Sequence, residues 1–224
     1  MAIARSQRIG IWIITITMLV GTVGGFIAMM VQPGNDAKDQ AELKKAQDTY
    51  TKAVNERQKK VKAQAEELSG KYYSQFSEYA SRPAEFSNDE AKELKVENLV
   101  AGEGAEIKKD TKFAVYYIGW NPKGEVFDQS IDGEKLKEPF LVEGLANASV
   151  IEGWKEGLVG MRIGGVRELA IPSSKAYGEK GQGDKIPANT PLKFVVMAID
   201  KPAEIPEPEI PPALEKYYKE RYGI

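Results

Sequence analysis

The chain has 224 residues, 42% of them hydrophobic and 29% charged, with 31 Lys and Arg set against 33 Asp and Glu. A net charge of −2 lacks the basic excess that a phosphate-backbone binder carries, so no nucleic-acid partner is expected. Neither Cys nor His occurs, which removes disulfides, thiol nucleophiles, imidazole-based triads and both favoured zinc ligands. No metal and no cofactor is expected, and any catalysis must proceed without them.

Residues 1–8 form a short N-terminal tail that brings Arg5 and Arg8 up to an uncharged run, Ile9–Val31. As a helix this run would extend about 35 Å, enough for a hydrocarbon core roughly 30 Å thick. A cleaved signal peptide has a shorter apolar core and a small-residue cleavage site; here the run ends in Met29-Met30-Val31-Gln32-Pro33. The reading is therefore an uncleaved transmembrane anchor. Gly21 and Gly25 stand at GxxxG spacing within it, a short and common pattern. Arg8 and the short tail favour the N-terminus inside and the bulk of the chain on the extracytoplasmic side.

Residues 36–80 are highly charged and free of Pro. Leu43, Ala46, Tyr50, Ala53, Arg57, Val61, Ala65, Leu68, Tyr72, Phe76 and Tyr79 recur at steps of three and four, which is helical periodicity. The stripe is thin, holds one Arg, and turns aromatic towards its end. It predicts a solvated helical stalk whose aromatic end docks onto the following domain or a partner. A coiled-coil dimer is the alternative, with weak a/d positions. Residues 81–94 read as a linker: Arg82-Pro83 stops the helix, and Ser87 with Glu90 fits a capping box over a short helical turn.

From 95 to 201 the texture changes to strands. Phe113–Ile118 is β-rich, Asn121-Pro-Lys-Gly124 is a turn, Val166, Leu169 and Ile171 form one apolar set, and Leu192–Ile199 is a final strand. Val150–Val159 reads as one short helix containing Trp154. The expectation is an α+β domain with antiparallel strands and the helix packed on one sheet face. Residues 202–224 are a Pro-rich extended tail, ending on a short helix with Leu214, Tyr217, Tyr218 and Tyr222.

The strand region carries Val115-Tyr-Tyr-Ile-Gly119, Gly124-Glu-Val-Phe-Asp128, Val150-Ile-Glu-Gly-Trp-Lys-Glu-Gly-Leu158, Gly160-Met161, Ile171-Pro172 and Ala176-Tyr-Gly178, in that order. Together these closely resemble the FKBP-type peptidyl-prolyl cis-trans isomerase domain; anchor, stalk and tail fall outside the resemblance. It implies a curved antiparallel sheet wrapped on one short helix, with a shallow apolar pocket between them. Carried over by motif, Trp154 is the floor, and Tyr117, Phe127 and Phe194 are walls. Asp128 lies at the edge and Tyr177 offers a hydroxyl; these six are the candidate catalytic residues. Phe140, Val150, Ile151 and Ile186 are candidate substrate-binding residues, with the Ile151 N–H as a donor and Ile186 on the rim. Val115, Leu169 and Ile171 are better read as core.

The chemistry agrees with the composition. Rotation about an X–Pro amide breaks C–N resonance, with a barrier of about 18–20 kcal/mol, and no heavy-atom bond forms or breaks. An apolar pocket that binds the twisted, less polarised amide more tightly than the planar one accelerates rotation. The implied partners are proline-containing polypeptides and macrolide inhibitors, with the membrane engaged through Ile9–Val31. The implied work is assistance to protein folding at the membrane. The rival readings are an FKBP-fold binding module with little activity and a holdase chaperone gripping clients by its aromatic stalk end.

The chain departs from the small members of the family in two places. The segment Gln129–Glu138 is longer and lacks the Arg that pairs with the carboxylate matched by Asp128, leaving Lys135 or Lys137 to substitute. Lys185 stands where small members place an apolar rim residue. Both departures bear on substrate preference. Asn147-Ala-Ser149 fits a glycosylation acceptor and is read as loop.

Overall fold

The computed structural model describes residues 37–222. The Ile9–Val31 run lies outside them; among the described residues no helix is long and apolar enough to cross a membrane. These residues form two compact units, one of Lys62–Glu204 and one of residues 37–61 together with residues 205–222.

A single helix, α1, runs from Ala37 to Ser77, as the charged, Pro-free periodic stretch requires. It passes into a 3-10 turn, Glu78–Ser81, just before Pro83. A second 3-10 turn, Asn88–Ala91, follows Ser87. There the Glu90 carboxylate accepts the Ser87 N–H at 3.0 Å, within the capping box read from sequence.

Eight strands follow: β1 Lys95–Val100, β2 Lys112–Trp120, β3 Val126–Gln129, β4 Ile131–Asp132, β5 Lys135–Leu136, β6 Phe140–Glu143, β7 Val166–Ile171 and β8 Leu192–Asp200. Helix α2, Glu152–Gly157, lies between β6 and β7, and α3, Pro212–Tyr222, follows β8. The main sheet has the order β1-β7-β8-β2-β3, with β6 also paired to β2, and every pairing is antiparallel. β2 is its axis. Phe113–Trp120 pairs with β8, while the other edge of β2 is shared by β6 at the start and β3 at the end.

Alternation along β2 sorts two cores. Phe113 and Val115 face the α2 side with Leu169, Ile171, Phe194, Val196 and Trp154. Ala114, Tyr116, Ile118 and Trp120 face the other side with Val195, Met197, Ile199 and Phe76. The sequence reading grouped Val166 with Leu169 and Ile171; the structure corrects this. Val166 and Ala170 belong to the second core, Leu169 and Ile171 to the first. The intervening pair Arg167-Glu168 is ordinary alternation, and Arg167 shares the Leu169 face, where it reaches the end of α2.

The aromatic end of α1 covers the second core. Phe76 is fully buried, Tyr72, Tyr73 and Tyr79 pack around it, and the Arg82 guanidinium pairs with Glu168 of β7 at 2.7 Å. The segment after Asp128 has a part in this. β4 and β5 form a small hairpin whose Leu136 is buried in the second core. The Leu136 N–H donates to Ser69 Oγ of α1 at 2.8 Å, and the Tyr73 hydroxyl donates to the Gly133 carbonyl at 3.3 Å.

In the other unit, the Pro-rich segment is held to α1. The Arg57 guanidinium donates to the Ile205 carbonyl at 3.3 Å and pairs with Glu207 at 2.8 Å. That explains why an Arg stands in the apolar stripe: at that position the stripe meets backbone carbonyl and carboxylate. Leu214 of α3 is buried.

Candidate active site

Helix α2 is short because its ends are marked locally. Ile151 is extended at φ −63, ψ 150 and serves as N-cap; its carbonyl accepts the Trp154 N–H at 3.0 Å. Gly160 beyond the C-terminus has φ 76. The predicted helix Val150–Val159 is thus trimmed at both ends. Two glycines let it settle on β7. A Cβ at Gly153 would lie 2.3 Å from Ile171 Cγ2, and one at Gly157 2.8 Å from Leu169 Cδ2. That close seat carries Trp154 onto the sheet, where it is 5% exposed.

Three rings surround Trp154, each nearly perpendicular to it. Tyr117 of β2 and Phe194 of β8 have centroids 5.4 Å away, and Phe140 of β6 lies at 6.1 Å. Phe127 of β3 stands edge-on to Phe194 at 5.5 Å. Such edge-to-face contacts suit the ring quadrupoles and fix the rings' orientations. Gly119 makes room for them: a Cβ there would meet Phe127 Cζ and Phe194 Cε1, both at 2.6 Å.

Val150, Ile151 and Tyr177 are half-buried against the same cluster, and Ile186 is buried within it. Of the residues singled out from sequence, Tyr117, Phe127, Phe140, Trp154 and Phe194 are linked ring to ring, and Val150, Ile151, Tyr177 and Ile186 share the first core with Trp154. The Ile151 N–H makes no hydrogen bond among the described residues, leaving a backbone donor beside the rings. The Trp154 indole N–H is buried and likewise has no acceptor among them.

The polar edge is small. The Tyr117 hydroxyl donates to the Asp128 carboxylate, which also accepts the Gln129 N–H at 2.8 Å. Burial, then the Asp128 hydrogen bond, push the Tyr117 hydroxyl well above its usual pKa. Burial and the Asp128 charge raise Tyr177 as well. Both phenols stay protonated donors at neutral pH. The expectation that Lys135 or Lys137 replaces a missing Arg at Asp128 is not met. Lys137 instead donates to the Gln129 carbonyl at 2.9 Å, and no cation pairs with Asp128 among the described residues. Tyr117 serves that carboxylate, because the inserted segment turns away to form the β4–β5 hairpin.

Sequence reasoning missed three supports of this site: Gly119, the Gly153/Gly157 pair and Arg167. The Gly119 signal was available, since a Gly within a strand marks a close approach. Arg167 is only 5% exposed and has no carboxylate partner among the described residues. It donates to the Gly157 carbonyl at 2.6 Å, to that of Val159 at 3.1 Å and to Asn98 Oδ1 at 2.8 Å. It thus caps the last turn of α2, where carbonyls lack intrahelical partners and a cation is favoured.

The site holds rings, two phenols, one carboxylate and the unbonded Ile151 N–H, and no cluster of potential metal ligands occurs among the described residues. It can bind and orient an apolar, amide-bearing group. A family model described as FKBP-type peptidyl-prolyl cis-trans isomerase matches residues 103–199. The FK506-binding protein of Neisseria meningitidis serogroup A is 41% identical over 103 residues, 46% of this chain and 91% of that protein. FK506-binding protein 4 of Rhizopus delemar is 40% identical over 46% of this chain, which spans only 26% of that protein. A solved peptidyl-prolyl cis-trans isomerase from Pseudomonas syringae pv. tomato aligns with 60% of this chain and 91% of its own, at 31% identity and a TM-score of 0.41.

Proposed function

The chain belongs to the FKBP-type peptidyl-prolyl cis-trans isomerase family and is an enzyme of that class; on that premise we propose that the ring cage around Trp154 is where it isomerises X–Pro bonds. The observation that carries this assignment is the near-perpendicular packing of Tyr117, Phe140 and Phe194 on Trp154. It gathers an apolar ring surface, edged by the Asp128 carboxylate and the Tyr117 hydroxyl.

In this reading the prolyl ring lies over Trp154 between Phe127, Phe194 and Phe140, and Val150, Ile151 and Ile186 hold the flanking backbone. The Ile151 N–H and the Tyr177 hydroxyl orient the substrate's carbonyls. Tyr117 fixes Asp128 at the edge, where that carboxylate answers polar groups of the twisted amide. The planar amide is the more polarised form, so a water-poor recess favours the twisted one. Each ~1.4 kcal/mol of that preference yields about tenfold in rate.

The test is peptide isomerisation. Phe127→Ala opens a wall to water and should reduce kcat/KM by more than Asp128→Asn, which keeps shape and removes charge. Both variants should retain the wild-type circular dichroism. Wild-type rates equal to the spontaneous reaction would favour the binding-module reading, and unchanged activity in a folded Phe127→Ala variant would place the site elsewhere. Since relatives bear the name FK506-binding protein, macrolides of that type are the proposed inhibitors of the same recess.

The same reading takes 95–201 as the catalytic domain, Ile9–Val31 as a membrane anchor and α1 as a stalk. The catalytic domain then assists folding of proteins on the extracytoplasmic side. Arg8 immediately before an uncharged run supports this orientation. Protease added to intact cells or spheroplasts should digest the domain; protection until lysis would reverse the orientation.

A further inference from the structure

The β2–β3 turn and the loop between Tyr177 and Leu192 are joined by two hydrogen bonds running in opposite directions. Asn121 Nδ2 donates to the Lys185 carbonyl at 2.9 Å, and Lys185 Nζ donates to the Val126 carbonyl at 2.7 Å. Lys185 directly precedes Ile186, and Val126 directly precedes Phe127. Each bond is therefore anchored one residue from a side chain of the candidate site.

Asn121 is 3% exposed, and a buried amide is tolerated only when its polar atoms are satisfied. Here they are. Oδ1 accepts the Lys123 and Glu125 N–H groups at 3.0 and 3.1 Å, and Nδ2 also reaches the Glu125 carboxylate at 2.9 Å. The side chain thus closes its own turn and still spares a donor for the distant loop. That loop has a shape of its own. The Gln182 N–H donates to the Ile186 carbonyl and the Asn189 N–H to the Gly178 carbonyl, both at 2.7 Å. Gly181, at φ 62, sits where a Cβ would fall 2.3 Å from the Ile186 oxygen. Internal bonds fix the loop's form, and Asn121 with Lys185 fix where that form sits.

We propose that Asn121 and Lys185 are positioning residues that set selectivity among X–Pro substrates by holding the Ile186 rim in register with Phe127. The proposal rests on the isomerase reading of this site. Residues flanking a bound proline must pass the rim. A rim held in one place rejects flanking side chains that clash with it or strand a polar group against it. A rim free to shift accommodates them, and discrimination falls. The lysine that departs from an apolar rim therefore acts through its bond to the Val126 carbonyl, while Ile186, 3% exposed, anchors the rim loop in the first core.

The experiment compares kcat and KM of the full chain, solubilised in detergent, on peptides with Ala, Leu, Phe or Glu before proline. Lys185→Met keeps the exposed stem and removes the donor; Lys185→Arg restores a donor; Asn121→Leu removes the other bond. Lys185→Met and Asn121→Leu should narrow the wild-type spread of kcat/KM across the peptides by about threefold or more, chiefly through KM. Lys185→Arg should keep the spread. A merely structural role would lower the melting temperature and slow all peptides alike, and that outcome overturns the proposal, as does a wild-type chain with no spread. If Asn121→Leu does not fold, Lys185→Met decides alone, because its side chain is exposed. A wild-type chain that accelerates none of the peptides would instead overturn the isomerase reading itself.

Discussion

Phe76 of α1 lies 6.1 Å, centroid to centroid, from Tyr116 of β2, with the rings inclined at 37°, and both side chains are fully buried. The end of the helix is therefore part of the isomerase unit's second core. Phe76→Ala should destabilise the unit by about 3–5 kcal/mol, the usual range for emptying a phenylalanine site. Urea unfolding measures it. A fragment starting at residue 95 should unfold at lower urea than one starting at residue 62, and equal midpoints would show that the helix end is only a spacer.

Tyr116 has a buried hydroxyl with no partner among the described residues, so Tyr116→Phe should leave stability unchanged or raise it by about 1 kcal/mol at neutral pH. Burial pushes this phenol's pKa up from 10.0 to about 12. A folded-state pKa above the unfolded value means full stability below pH 10, lost progressively as pH rises towards 12. Urea midpoints of the wild type should therefore fall above pH 10, and part of that fall should vanish in Tyr116→Phe. The chain has no His, and Tyr117 and Tyr177 are both raised. Accordingly kcat/KM should be flat between about pH 6 and 9.

Gly119→Ala tests how the pocket walls are set. The added methyl would press on Phe127 and Phe194 at 2.6 Å, and overpacking of this kind costs about 1–3 kcal/mol. The strain falls on the two rings, so kcat/KM should drop by about tenfold or more, as a comparable loss of transition-state fit requires. Peptide kinetics beside a melting curve separates the effects. A stable, fully active Gly119→Ala variant would show that the walls are not held where the geometry places them.

Arg167 bears on the seat of α2. Arg167→Met keeps the apolar length but leaves the Gly157 and Val159 carbonyls and Asn98 without this donor. A loss of about 2–4 kcal/mol is expected, given the value of hydrogen bonds from charged donors and the cost of stranded acceptors. Arg167→Lys should recover part of it, since one ammonium cannot reproduce the guanidinium's spread of donors. Denaturant midpoints decide the order wild type, Lys, Met; an unchanged midpoint in the Met variant would remove the capping role.

The site was largely legible because its residues sit in contiguous motifs. Trp154 between two glycines, Phe127 beside Asp128 and Tyr117 before Ile118-Gly119 each carry their local geometry with them. The supports were less legible. Arg167 in an apolar strand reads as an interruption until the strand is placed beside α2, and Asn121 reads as a turn residue until Lys185 is brought to it.

Sequence alone determined the helical periodicity of α1, the strand texture, the family resemblance and the exclusion of thiol, imidazole and disulfide chemistry, because these follow from residue identity and spacing along the chain. Tertiary structure decided which face each apolar residue serves. Val166 went to the second core, Phe76 met Tyr116, and the segment after Asp128 turned onto Ser69 while Tyr117 took the carboxylate. Period-two alternation shows that a strand has two sides, but strand register and the element lying across each side determine what those sides bury.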